Sequence, residues 1–298
     1  MTVQRVDWGS WMESANRRDP DLPRVVIAEG GINHNGSIES ACRIVEMASR
    51  SGAHAVKFQK RDPEVCVPLD VRDRVRTTPW GEMSYFEYKK RLELSLEGYR
   101  QIDQCARDCG IDWFVSAWDL PSQRLMRSFN SPLNKVASAM LTNTDLLREI
   151  ASEGKPTFVS TGMSTLEQID AAVAVFEKAE CPFILMHAVS TYPATDDELN
   201  LRMITTLGER YGRPVGYSGH ETSVSPSVIA AALGAVAIER HVTLDRAAWG
   251  TDQAASLEEP GLASLVTILS RMPAMMGNGV KSVSDGELAV ARNLRYWQ

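Results

Sequence analysis

The chain has 298 residues, 44% of them hydrophobic and 23% charged, with a formal net charge of -6. That is longer than one ordinary domain of ~100–150 residues; it suits a single α/β barrel of roughly 250 residues with extensions, whose core needs no disulfide or metal staple to fold. The acidic balance, with no Lys/Arg cluster tracking one helix face, argues against a nucleic-acid surface, while a small anionic substrate stays open because a few lysines in a cleft outweigh a distant surface.

The first stretch, MTVQRVDWGSWMESANRRDP, has no apolar h-region, and no apolar run approaches the ~20 residues of a membrane span. A soluble, cytoplasmic protein is expected, with an N-terminal extension over residues 1–22 that closes the bottom of a barrel domain over residues 23–298. Short β-rich runs then alternate with amphipathic stretches: VVIAEGG (Val25 to Gly31), AHAVKFQ (Ala53 to Gln59), DWFVSAW (Asp112 to Trp118), NKVASAM (Asn134 to Met140), PTFVSTG (Pro156 to Gly162), PFILMHAV (Pro182 to Val189), PVGYSGH (Pro214 to His220) and AVAIERHVT (Ala235 to Thr243). Each is nearly continuously apolar, as parallel strands covered on both faces are. The helix after the first run starts at a Ser37 N-cap and closes at Gly52, where a C′ glycine belongs. Eight strand–helix units predict a closed (β/α)8 TIM barrel rather than an open doubly wound sheet, and no Gly-x-Gly-x-x-Gly turn follows the first strand. One segment breaks the rhythm. Residues 60–95, containing TPWGEMSYFEYKKRLEL, form a long insertion after the second strand, too aromatic (Trp80, Tyr85, Phe86, Tyr88) for disorder and placed where a lid would be. The five cysteines contain no Cys-x-x-Cys pair and are read as reduced thiols.

In a barrel the C-terminal strand ends converge on one face, where active sites are built. Those ends carry Glu29; Lys57 with Gln59; Ser116; Lys135 with Ser138; Ser160 with Thr161; His187 with Ser190; Ser218 with His220; and Glu239 with His241. Lys57, Lys135 and the serines suit a phosphate and a carboxylate, ammonium groups supplying charge and hydroxyls direction. The plainer alternative makes one lysine an ion-pair partner of Glu29 or Glu239. His220 and His241, on adjacent strands, can meet across the mouth and bind a divalent ion such as manganese, zinc or iron; the plainer reading is a hydrogen-bonded pair. His187 reads first as a satisfied core histidine. A metal beside an anion site points to carbonyl polarisation.

The ordered motifs AEGGINHNG, VKFQ, NKVAS, VSTGM, YSGHET, ERHVT and WGTDQAASLE resemble the sialic acid (N-acetylneuraminate) synthase family from the first strand to the eighth helix. The resemblance implies phosphoenolpyruvate as donor, an N-acetylmannosamine-like aldose as acceptor, and a nine-carbon keto acid and phosphate as products. It further implies a homodimer and a divalent metal, manganese first, with magnesium, cobalt or zinc as alternates. By motif it puts Lys57, Gln59, Lys135, Ser138, Ser160, Ser190 and Ser218 on phosphoenolpyruvate, His220 and His241 on the metal, Glu29 as the catalytic carboxylate, and Tyr192 and Asp252 on the acceptor. Three departures stand out. Ala117 falls where the family places a hydroxyl, and Met140 where it places an acid. The sequence ends at ARNLRYWQ, where relatives continue into an antifreeze-like domain. Two of these touch the acceptor side, so a rebuilt acceptor site is expected. The rival readings are the same condensation on a different aldose, and a non-catalytic sugar-acid-binding barrel.

Overall fold

All eight expected strands form, and they close on one another. The computed structural model describes residues 5–17, 19 and 22–297; part of the expected N-terminal extension thus lies outside the described residues. Among the described residues ten strands are formed: β1 (Val25–Gly31), β2 (Ala55–Lys60), β3 (Val75–Thr78), β4 (Gly81–Ser84), β5 (Asp112–Ala117), β6 (Asn134–Val136), β7 (Thr157–Ser160), β8 (Phe183–Ala188), β9 (Val215–Gly219) and β10 (Ala237–His241). Eight of them pair in parallel as a closed barrel, in the order β1-β10-β9-β8-β7-β6-β5-β2, while β3 and β4 form a separate antiparallel hairpin. A helix follows each barrel strand, and the helix Ile38–Arg50 begins where Ser37 Oγ accepts the Ser40 N–H.

Side-chain alternation splits each strand between two environments. Val26, Val56, Val115, Val159, Leu185 and Ile238 join the helices in one outer core. Ile27, Ala55, Phe114, Leu133, Phe158 and Ala237 belong to a second, inner cluster near the N-terminal ends of the strands. Two residues further along, the same inward-facing row changes character, to Glu29, Lys57, Ser116, Lys135, Ser160 and Glu239. The barrel is therefore oil-filled below and polar at its mouth.

The helix Trp8–Asn16 lies against that lower layer, capped by Asp7 and burying Trp8, Trp11, Met12 and Ala15. The Trp8 indole N–H donates to Asp112 Oδ2 at 2.8 Å, and that of Trp11 donates to the Pro23 carbonyl at 3.0 Å. Both rings meet Phe158 from inside the barrel, each with its centroid 6.3 Å away. Trp11→Ala should therefore cost about 3–5 kcal/mol of unfolding free energy, measured by denaturant titration; a loss below about 1 kcal/mol would show that this helix does not help close the barrel.

The insertion after β2 is folded. Its hairpin leads into the helix Tyr85–Leu92, capped by a reciprocal Ser84–Glu87 box. Tyr88 and Leu92 are buried against Ile32, with Met83, Tyr85 and Trp249 around them. Trp80 and Tyr88 meet Trp249, in the segment after β10, edge-on at 5.8 and 5.3 Å between centroids. The contact is close: a Cβ on Gly36, in the loop after β1, would stand 2.1 Å from the Arg91 carbonyl oxygen. The insertion is thus clamped onto the loops after β1 and β10, at the mouth. All five cysteines are free thiols.

Candidate active site

The polar row encloses a cavity of about 170 Å³. Its wall contains Glu29, Lys57, Gln59, Lys135, Ser138, Ser160, Ser190, Ser218, Tyr192, His220 and His241, so of the residues to which the family resemblance gives a role all but Asp252 face it, while Thr161 and His187 of the strand-end set do not. Asp252 stands just outside, its carboxylate 3.9 Å from His241 Nδ1.

One end is a hydroxyl cradle. The Lys135 ammonium donates to Ser160 Oγ and to the Val136 carbonyl. Ser138 Oγ accepts the Gly162 N–H at 3.2 Å. Ser116 and Ser190 keep buried hydroxyls with no hydrogen-bond partner. Buried hydroxyls are ordinarily satisfied, so two orphans beside an ammonium group are what an anion site looks like. Gly162 makes the space: an added Cβ would lie 2.4 Å from Ser190 Oγ and 2.8 Å from Ser138 Oγ.

The centre is a tetrad of alternating charge. Lys57 Nζ is 2.8 Å from Glu29 Oε2 and 3.6 Å from Glu239 Oε1, and Lys135 Nζ is 3.8 Å from the same Glu239 oxygen. Ser218 donates to Glu239 at 3.0 Å, and Gln59 donates to Glu29 at 3.1 Å. Both lysines thus make the ion pairs of the plainer reading while facing the cavity. The environments push the two carboxylates apart. Burial raises the Glu29 pKa, and Lys57 only partly offsets it. Glu239 is equally buried, but Lys135 and Lys57 together draw it down to about 2. Such a split marks Glu29 as the group able to carry a proton and Glu239 as a fixed anion. Burial lowers the Lys135 ammonium to about 8 against the pull of Glu239. For Lys57 burial acts the same way, yet Glu239 and Glu29 outweigh it and raise its pKa.

The other end holds the imidazoles. Strand β10 brings His241 beside Glu29 of β1, and the rings of His220 and His241 stand 5.5 Å apart. His220 Nδ1 bonds the Val189 carbonyl, which leaves Nε2 with its lone pair inward, where it accepts from the Tyr192 hydroxyl at 2.9 Å. His241 Nδ1 is buried with no hydrogen-bond partner. Burial lowers both histidines, His220 to about 4, so both are neutral at physiological pH. Neutral imidazoles, one oriented through its outer nitrogen and one with an orphan nitrogen, fit a divalent-metal pair. Among the described residues no group of three or more His, Cys, Asp or Glu side chains is placed to hold an ion. The two histidines would share one with solvent and substrate.

Several sequence readings change. His187 points away from the cavity, its Nε2 bonded to the Leu199 carbonyl at 2.8 Å; strand β8 contributes Ser190 instead. Ser116, not Ala117, faces the cavity, because alternation along β5 turns residue 117 outward. Met140 ends a single 3-10 turn and packs on the outer core, outside the cavity wall. The missing acid there therefore removes nothing from this wall. Glu239, visible in the sequence only as a strand-end carboxylate, is the hub of the tetrad.

A closed parallel barrel with an anion cradle, a carboxylate–lysine tetrad and paired imidazoles at its C-terminal mouth defines the class. The chain belongs to the NeuB family, whose model matches residues 44–281. It is 34% identical to the human (Homo sapiens) N-acetylneuraminate-9-phosphate synthase over 275 residues, 91% of this chain and 76% of that protein. It is also 34% identical to the N,N'-diacetyllegionaminic acid synthase of Campylobacter jejuni, over 88% of this chain and 80% of that one. The solved N-acetylneuraminic acid (sialic acid) synthetase of Leptospira borgpetersenii superposes with a TM-score of 0.79 at 30% identity, covering 92% of this chain and 93% of that one. No described helix is long and apolar enough to cross a membrane.

Proposed function

We propose that this protein is a nonulosonic acid synthase that condenses phosphoenolpyruvate with an N-acetylmannosamine-like aldose, releasing phosphate. The observation that carries the reading is the single cavity joining a lysine–hydroxyl cradle to a buried Glu29, whose pKa burial raises, and a pair of inward-facing histidines. The names of the three relatives reported above, each a synthase or synthetase of a sialic or legionaminic acid or its phosphate, support it.

In this mechanism Lys57, Lys135, Ser138, Ser160, Ser190 and Ser218 hold the donor's phosphate and carboxylate, with Gln59 beside them, and Tyr192 and Asp252 orient the aldose. The methylene carbon of phosphoenolpyruvate forms a bond to the aldehyde carbon, and the aldehyde oxygen takes the Glu29 proton to become a hydroxyl. Water adds to the cationic carbon that bears the phosphate, giving a proton back to Glu29. The tetrahedral intermediate then breaks its carbon–oxygen bond to phosphate, its hydroxyl proton leaves with the departing phosphate, and it becomes the ketone. A divalent ion, manganese by preference, held by His220 and His241, would supply Lewis-acid polarisation of the aldehyde. Glu239 stays ionised throughout and keeps both lysines in place.

The assay is phosphate release from phosphoenolpyruvate with a panel of aldoses and manganese; no release with any aldose would leave only a sugar-acid-binding barrel. Lys57→Met and Lys135→Met should each weaken the donor by about 1.5–3 kcal/mol, roughly tenfold or more in KM. The pH dependence has a definite sign. Donor binding needs the charged Lys135, so kcat/KM for phosphoenolpyruvate should be flat below about 8 and fall as pH rises through that value. Lys135→Met should lack this limb, and a wild-type profile flat to pH 10 would contradict the assignment. A homodimer is part of the proposal, from the family resemblance: light scattering at micromolar concentration should give twice the mass of one chain, and a monomer would contradict it.

A further inference from the structure

The two histidines of the cavity lie at the edge of what the sheet itself holds. The β9–β10 ladder pairs Ile238 with Tyr217, Glu239 with Ser218 and Arg240 with Gly219, and among the described residues it ends there, one residue short of both imidazoles. His241 keeps a partner on its other side, Glu29 of β1. His220 follows the last residue of β9, and the β8–β9 ladder stops earlier still, at Ala188 and Ser218. The bonds of His220 are to the Val189 carbonyl and the Tyr192 hydroxyl from its ring, and to the Ala194 N–H, at 3.1 Å, from its backbone carbonyl. All three partners belong to the segment after β8, not to the strand that carries His241.

The link to β10 runs behind the cavity. Alternation turns Ser218, His220, Glu239 and His241 inward and leaves Tyr217, Glu221 and Arg240 on the outer side of the barrel wall. Arg240 is 0% and Glu221 1% exposed, and their charged groups meet at 2.9 Å. The Arg240 guanidinium also donates to the Glu221 and Ser223 carbonyls, the second at 2.7 Å, so a side chain of β10 grips the backbone that carries His220. Glu221 is held in turn by the Tyr217 hydroxyl at 2.8 Å and the Ser227 hydroxyl at 3.0 Å. Gly219 makes the room: an added Cβ would stand 2.4 Å from Glu221 Oε2. Arg240 Nε is left without an acceptor. A buried ion pair is ordinarily no better at holding a fold together than apolar side chains of similar volume. What those cannot supply is a rigid fork of donors aimed at chosen carbonyls.

We propose that Arg240 and Glu221 are positioning residues: the pair sets His220 against His241, whose rings stand 5.5 Å apart, and so prepares them to share a divalent ion. The inference rests on the reading of these two histidines as metal ligands, and it gives the pair no part in a chemical step. Neither side chain lines the cavity, so the donor and acceptor contacts are independent of it.

The test titrates manganese, followed by electron paramagnetic resonance with no substrate present, into the wild type, Arg240→Lys and the double variant Glu221→Leu with Arg240→Met. Thermal melting by circular dichroism is recorded for each. Arg240→Lys keeps a cation opposite Glu221 but loses the planar fork, so manganese affinity should fall at least about tenfold, the usual effect of removing an outer support of a metal ligand. The double variant leaves no unpaired buried charge. It should therefore melt within about 5 °C of the wild type and still show the same loss of affinity. In turnover, the manganese concentration for half-maximal rate should rise by the same factor while KM for phosphoenolpyruvate stays unchanged. Wild-type affinity in Arg240→Lys overturns the proposal. So does affinity that returns in the double variant along with its melting temperature, because the pair would then be structural only. If the double variant does not fold, Glu221→Gln, which keeps the shape and the Tyr217 bond, takes its place under the same criteria. A wild type that binds manganese, loses it in the variants and yet releases no phosphate upholds the pair while the condensation fails. A wild type that binds none overturns the inference whatever its turnover.

Discussion

Glu29→Gln is expected to lower kcat by roughly 10²–10⁴-fold, the usual contribution of one well-placed proton-transfer group, with KM for phosphoenolpyruvate changed only a few-fold. The substitution keeps the shape of the side chain. It also keeps one oxygen to accept the Gln59 amide, which now bonds Glu29 at 3.1 Å. What it removes is the exchangeable proton, in a position where burial raises the carboxyl pKa and Lys57 only partly offsets the rise. Lys57 loses its 2.8 Å partner but retains Glu239 at 3.6 Å, so the donor site should persist. Steady-state kinetics with phosphoenolpyruvate varied at saturating aldose provide the measurement. A kcat within tenfold of wild type would show that Glu29 serves only as an ion-pair partner of Lys57. Glu239→Gln should behave differently: it weakens the anchor of both lysines, so its main effect should be on KM for the donor.

The second large effect is expected from His220→Ala and His241→Ala. A Lewis acid at a developing alkoxide is worth several kcal/mol, so each variant should lose roughly a thousandfold or more in turnover. Chelation of the wild type should do the same, and manganese should reverse it. The variants should still fold, because the barrel is held by its two apolar layers rather than by the imidazoles. Far-UV circular dichroism and thermal melting check that point, and bound manganese counted by electron paramagnetic resonance gives a readout independent of activity. Full turnover after chelation, or in either variant, would remove the metal from the mechanism. The Tyr192 hydroxyl now occupies His220 Nε2, so Tyr192→Phe should still bind manganese while losing a contact to the acceptor.

Much of this protein is legible in its amino-acid sequence. The eight strands could be read because each is an apolar run bounded by turn residues, and parallel strands buried on both faces leave that signature. The mouth could be read because closure brings every strand's C-terminal end to one face, so linear position alone nominated Glu29, Lys57, Lys135, Ser160, Ser218, Glu239 and His241. Two other matters depended on tertiary structure. The first is direction: which neighbour on a strand looks inward is a matter of register, and a shift of one residue exchanges faces. That is why His187 and Ala117 left the site while Ser190 and Ser116 remained, and why Met140 turned out to pack on the core. The second is pairing between distant segments. Arg240 reads as one charge inside an apolar strand, and Glu221 as an acid just after another. Only closure of the barrel brings them together behind the two histidines, 2.9 Å apart and out of water. A local pattern of hydrophobicity dictates where strands and helices lie, because it acts on neighbours in the chain. The charge state and partners of a side chain depend on residues tens to hundreds of positions away, and only the packed structure determines those.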